Sequence, residues 1–129
     1  WGISLREQLG LIGVSNYFVK GNYLSTTQKL NYEHLYYPVP PKDLKGLGVH
    51  STIDFSGKVK FGPNTEDTTQ INYAQTQDMT KEMQQSILEN FKGIDLEKLF
   101  WDYAGIRPKI KDTVTGKHIT DFLIHSPMR

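Results

Sequence analysis

The chain has 129 residues, 37% of them hydrophobic, enough for one modest core and too few for two independent domains. Its 15 basic and 14 acidic residues leave a formal net charge of +1 with no long block of either sign, which argues against the basic stripe that a phosphate backbone requires and so against a nucleic-acid partner. Cysteine is absent, so disulfides and thiol nucleophiles are excluded, and no apolar run approaches the roughly 20 residues of a transmembrane segment.

Residues 1–16 read as a lead-in segment, with Gly2, Gly10 and Gly13 interrupting Leu5, Leu9 and Ile12 at roughly helical spacing. Trp1-Gly2-Ile3-Ser4 has neither an initiator Met nor the succession of a signal peptide, so the true start of a longer protein, if this is a piece of one, is not visible here. From Tyr17 to Leu24 the set Tyr17, Val19, Gly21, Tyr23 alternates with Phe18, Lys20, Asn22, Leu24, as a strand would. Leu35 to Val39 is a second candidate strand. Pro38, Pro40 and Pro41 have no amide proton for a ladder, so this strand is expected to lie at an edge or to end there. Leu47, Val49 and Ile53 then share one face and His50, Thr52 and Asp54 the other. Ser56-Gly57 reverses the chain before Val59 and Phe61, so 17–61 is expected to hold strands and a hairpin.

Residues 62–77 are polar and contain Gly62-Pro63-Asn64, the composition of a surface loop. A helix is predicted over 78–92, capped by Asp78 or Thr80, with Met79, Met83, Ile87, Leu88 and Phe91 at helical spacing and Gly93 as its terminator. That stripe is the face packed on a sheet rather than a cofactor site. A weak helical turn follows at Asp95 to Phe100. The C-terminal strands of 99–126 comprise Tyr103 to Ile110, broken by Pro108, a turn at Gly116, and Thr120 to His125. The order predicts an α+β fold with a mostly antiparallel sheet and one main helix, a single domain over 1–129.

No Gly-x-Gly-x-x-Gly and no phosphate-binding Gly-x-x-x-x-Gly-Lys-Ser/Thr is present, so the chain offers no nucleotide-phosphate cradle. His34, His50, His118 and His125 lack ligand spacing, so no metal site is expected. Four groups combine glycine or proline with a polar aromatic or a charge: Lys20-Gly21-Asn22-Tyr23, Tyr36-Tyr37-Pro38-Val39-Pro40, Gly46-Leu47-Gly48-Val49-His50 and Tyr103-Ala104-Gly105-Ile106-Arg107-Pro108-Lys109. Arg107 offers a donor fork that can hold a carboxylate by two parallel bonds. Gly105 before it would let a ligand approach the backbone. Local sequence leaves two roles open for Arg107, carboxylate binding or pairing with a surface acid. It likewise leaves two for His50, a pocket residue or a solvated one. For Tyr23, Tyr36, Tyr37 and Tyr103 the simplest role is burial with a paired hydroxyl.

In order and spacing these groups, with Phe61-Gly62-Pro63, resemble the FAD-dependent oxidoreductases of the D-amino acid oxidase superfamily, and within it the L-2-hydroxyglutarate dehydrogenase/oxidase branch, from about Tyr17 to His125. The resemblance implies the middle, substrate-binding (cap) domain of a flavoprotein about three times this length. Its Rossmann-like FAD-binding half, built from both ends of the chain, is missing here, so this piece alone is expected to be inactive and to hold no FAD. The resemblance implies that Arg107 holds the substrate carboxylate, that Lys20, Tyr23, Tyr103 and Lys109 help to bind substrate, and that His50 acts as the base or stabilises the alkoxide. Hydride would pass from a small 2-hydroxy acid to flavin N5. Where the branch tends to have Arg-Gly-Glu-Tyr this chain has Lys20-Gly21-Asn22-Tyr23, which bears on the choice of substrate. Alternatives are an amino-acid or amine oxidase of the same superfamily and a non-catalytic binding or interaction module. The implied partners are a small carboxylate substrate, the FAD-binding half, and a second copy pairing through exposed sheet edges. The implied compartment is the cytoplasm in a bacterium or the mitochondrion in a eukaryote.

Overall fold

The computed structural model describes residues 13–39, 48–75 and 79–124. The expectations for residues 1–12, for Pro40, Pro41, Gly46 and Leu47, for Asp78 as a cap and for His125 lie outside them. Five strands, β1 (Val14–Thr26), β2 (His50–Ile53), β3 (Val59–Thr68), β4 (Leu99–Asp112) and β5 (His118–Ile119), form one antiparallel sheet in the order β2-β3-β1-β4-β5. One helix, α1 (Lys81–Asn90), and a short 3-10 helix (Leu96–Lys98) complete the described elements. The fold is therefore α+β, as the element order predicts.

The β2–β3 hairpin turns on Asp54, whose carboxylate accepts from the Ser56 and Lys58 amides and from the Ser56 hydroxyl. An aspartate that bonds the backbone just ahead of it mimics a turn. Gly57 supplies the left-handed backbone there, at φ 81°. Thr80 caps α1 by accepting from the Met83 amide at 3.2 Å.

Three elements differ from the sequence pattern. Leu35–Val39 is not a strand. Tyr36 alone bridges to Ser51, taking the Ser51 amide on its carbonyl and giving its own amide to the Ser51 hydroxyl, and Pro38 has no amide to extend the ladder. β3 runs on to Thr68, where polarity predicts a loop from residue 62. Thr65–Thr68 pair with Phe18–Gly21 of β1, and backbone ladder bonds need no apolar side chains. β4 carries Pro108 inside it. β5 pairs with Ile110 and Lys111, so among the described residues the outer side of β4 has no partner strand at the proline, where a missing amide is tolerated. Beyond Ile119 no described residue continues the predicted C-terminal strand.

The core lies on one face of the sheet. Leu24, Val59 and Phe61 meet Met83, Ile87 and Phe91 of the helix segment, with Val49 and Ile94, and the Phe61 and Phe91 rings meet edge to face at 5.0 Å. Leu88, counted in the predicted stripe, is exposed. Burial of each large apolar side chain contributes about 1.5–3 kcal/mol, so this cluster is what fixes α1 to the sheet and leaves the other face free.

Candidate functional site

Across β1 and β4, Tyr17 stands opposite Lys109, Val19 opposite Arg107, Gly21 opposite Gly105 and Tyr23 opposite Tyr103. Directly opposed residues share a face and side chains alternate along each strand. These eight positions therefore form the face away from α1, and Lys20, Asn22 and Leu24 belong to the helix face.

Two irregularities shape the open face at Tyr23. β3 pairs Asn64 with Asn22 and then Phe61 with Leu24, while β4 pairs Tyr103 with Tyr23 and then Trp101 with Leu24. Both neighbours of β1 thus carry one extra residue at the same level, which bends a strand and re-aims its side chains. On β4 the extra residue is Asp102, which accepts from the Ser25 hydroxyl at 2.7 Å and pairs with Lys60 Nζ at 2.8 Å. Those two bonds hold the Asp102 carboxyl below its ordinary range. The Lys60 ammonium in turn lies 5.0 Å from the Tyr103 ring centre.

An aromatic wall stands on this frame. Tyr103 stacks on Tyr23 at 4.6 Å, Tyr23 meets His50 edge-on at 6.2 Å, and His50 stacks on Tyr37 at 4.3 Å. Gly62 makes room for Tyr23: a Cβ there would lie 2.7 Å from Tyr23 Cδ1 and 2.9 Å from the Asn22 carbonyl oxygen, and its φ is 153°. Gly62→Ala is therefore expected to destabilise the full-length protein by about 3 kcal/mol, through a clash with backbone that cannot yield and a strained φ. Urea unfolding checks this, and an unchanged midpoint would contradict the geometry.

The wall borders a groove of about 360 Å³ whose lining includes Val19, Gly21, Tyr23, His50, Pro63, Thr65, Gly105 and Arg107. Arg107 is exposed at its mouth and, among the described residues, forms no ion pair. Burial raises the Tyr23 hydroxyl pKa above 10.0, the neighbouring Tyr103 adds to this and the Arg107 charge opposes it. Tyr23 is thus a neutral donor at physiological pH, close enough to Arg107 to feel it. His50 is buried and its Nδ1 lies 3.1 Å from the Gly48 carbonyl. A carbonyl only accepts, so Nδ1 carries the proton and Nε2 of the neutral ring keeps a free lone pair. Burial lowers the His50 pKa below 6.5, with the Gly48 bond opposing, so the ring is neutral at pH 7.

Of the residues singled out from sequence, Arg107, His50 and Tyr23 come together in this groove. Tyr103 backs Tyr23 from outside it. Lys109 lies on the same face in an adjoining open groove of about 910 Å³, with Tyr17 and His118, where the Tyr17 hydroxyl and His118 Nδ1 are 3.2 Å apart. Lys20 is placed elsewhere. Strand alternation puts it on the helix face, buried, with its ammonium donating to the Ala74 carbonyl, so it shares no surface with Arg107. Asn22 is on the helix face too, fully buried and bonded to Asn64. The partnership of Tyr37 with His50 has no local signal in the sequence, because it depends on the Tyr36–Ser51 bridge that brings the two segments together. Among the described residues, no helix is long and apolar enough to cross a membrane, and no group of three or more His, Asp or Glu is placed to hold a metal.

Fold and groove together define an α+β domain that presents, on one face of a curled antiparallel sheet, a tyrosine donor, a neutral histidine and a guanidinium that has no ion-pair partner among the described residues. No protein-family model matches the chain. It is 32% identical over 108 residues to L-2-hydroxyglutarate dehydrogenase, mitochondrial, of Arabidopsis thaliana, an alignment covering 74% of this chain and 22% of that protein. The resemblance to the L-2-hydroxyglutarate dehydrogenase branch read from the motifs is borne out, and the chain spans about a fifth of the length of the curated relative it matches.

Proposed function

We propose that this chain is the substrate-facing domain of an FAD-dependent oxidoreductase of the D-amino acid oxidase superfamily, oxidising the CH–OH group of a small 2-hydroxy acid such as L-2-hydroxyglutarate. The observation that carries the reading is the meeting, in one groove, of an Arg107 without a carboxylate partner among the described residues and a His50 whose tautomer leaves Nε2 free. The two positions at which the chain departs from the branch's Arg-Gly-Glu-Tyr pattern, Lys20 and Asn22, lie on the helix face. The two that match it, Gly21 and Tyr23, face the groove. The departure therefore leaves the groove's own surface unchanged.

The chemistry follows from the residues. The Arg107 fork takes the carboxylate by paired charge-assisted bonds, which fixes the α-carbon near the aromatic wall. Tyr23, kept protonated by burial, donates to a substrate oxygen. His50 Nε2 accepts the hydroxyl proton as the C–H bond breaks. The groove floor is open at Gly105, where a Cβ would meet nothing within 4 Å. Flavin, held by the FAD-binding half of the full-length protein, supplies the hydride acceptor at N5. By the same reading the protein works in the mitochondrion in a eukaryote and in the cytoplasm in a bacterium.

The test is turnover of the full-length protein with a panel of 2-hydroxy and 2-amino acids and an artificial electron acceptor. Activity on 2-hydroxy acids is expected. Activity confined to 2-amino acids would move the protein to the amino-acid oxidases, and none on either would refute the reading. A pH dependence follows from His50. Protonation removes the base, so kcat/KM is expected to be flat above pH 6.5 and to fall as pH drops through the lowered pKa of His50. The fold responds with the same sign. A histidine buried as the neutral ring contributes stability fully present above its unfolded pKa and lost as pH falls through the folded value. An acid limb centred above pH 7 would contradict this assignment.

A further inference from the structure

Glycine at position 105 is unexplained by anything the fold needs. Gly105 is absent from the glycines that adopt positive φ, so a side chain would not strain its backbone. At its partner Gly21 a Cβ would stand 2.8 Å from Pro63 Cβ, so Pro63 already fills that place, whereas a Cβ at Gly105 would meet nothing within 4 Å. Glycine in a strand interior weakens the strand, and stability alone favours a side chain here. The empty space lies on the groove floor, with Tyr103 and Arg107 two residues away along β4 on either side and Gly21 and Pro63 across it. Same-face neighbours on a strand are about 7 Å apart, so the space over residue 105 is within reach of a small acid held by Arg107.

We propose that Gly105 is the size gauge of the groove, its empty side-chain position receiving the carbon chain of a straight-chain acid whose carboxylate sits on Arg107. The proposal rests on the carboxylate-binding reading of the groove and adds its selectivity: unbranched acids enter up to a limiting length, and any side chain at 105 shortens that limit. It also implies that the chain gives up stability at this position to keep the site open.

The test uses the full-length protein with Gly105→Ala and Gly105→Val. Calorimetry measures the affinity of the straight-chain carboxylates from acetate to hexanoate and of the dicarboxylates of matching length, and a thermal melt is recorded for each variant. For Gly105→Ala the affinity for the longer acids is expected to fall about tenfold while that for acetate changes less than about threefold, with a melting temperature equal to or above that of the wild type. Gly105→Val is expected to extend the loss to shorter chains. An equal loss at every length, or no loss in either variant, would overturn the gauge. So would a wild-type protein that binds none of these acids. A wild-type protein that binds them with this length dependence yet oxidises no 2-hydroxy acid refutes the proposed reaction and leaves the gauge standing.

Discussion

Arg107→Met in the full-length protein is expected to lower kcat/KM for the 2-hydroxy acid by about a thousandfold, roughly 4 kcal/mol, most of it as a raised KM. The magnitude follows from what the side chain does in the groove. A guanidinium without a carboxylate partner among the described residues meets a carboxylate by two charge-assisted bonds, and removing it leaves the acid's charge unpaired in a site lined by aromatic rings and glycine backbone. Because the carboxylate is held equally before and during C–H cleavage, the loss falls mainly on binding. Arg107→Lys keeps the charge without the fork, and an intermediate loss of about tenfold to a hundredfold is expected. Steady-state kinetics on purified variants gives both numbers. If Arg107 instead pairs with an acid of the FAD-binding half, the methionine variant will lose stability and keep its KM.

The second large effect belongs to His50. His50→Gln is expected to reduce kcat by about a thousandfold with KM little changed, the loss typical when a positioned general base is removed, and to abolish the acid limb of the pH profile. The two readouts together separate a base from a structural residue. His50 is buried and stacked on Tyr37, so a packing role would lower stability and leave the pH limb in place. Rate and pH dependence measured side by side decide between them, and a variant that keeps both the wild-type kcat and the acid limb would remove His50 from the chemistry.

Much of this architecture is legible in the sequence, for physical reasons that differ by element. The hairpin shows because Asp54, Ser56 and Gly57 are turn chemistry between alternating apolar residues, and α1 shows because Met83, Ile87 and Phe91 recur on one helical face. β3 beyond Phe61 is hidden because Thr65–Thr68 are polar and owe their extended form to β1, whose partner residues lie 44 to 50 positions upstream. The site divides in the same way. Arg107 and His50 are visible as residue types in glycine- and proline-marked segments. That they face the same groove depends on register and on the paired bulges at Tyr23, which no local pattern encodes. Lys20 is the instructive case. The period of two that marks β1 also sets Lys20 opposite in direction to Tyr23, so the two could not both line one face. That alternation was already legible in the sequence, and it outweighs the motif that groups them.

The most direct test of the central claim is a crystal structure of the full-length protein with an unreactive analogue of a 2-hydroxy acid. The analogue's carboxylate is expected on the Arg107 guanidinium, its carbon chain over Gly105, and its hydroxyl-bearing carbon between His50 Nε2 and the flavin. An analogue bound away from this face, or an Arg107 paired with a carboxylate of the other half and a groove filled by protein, would contradict it.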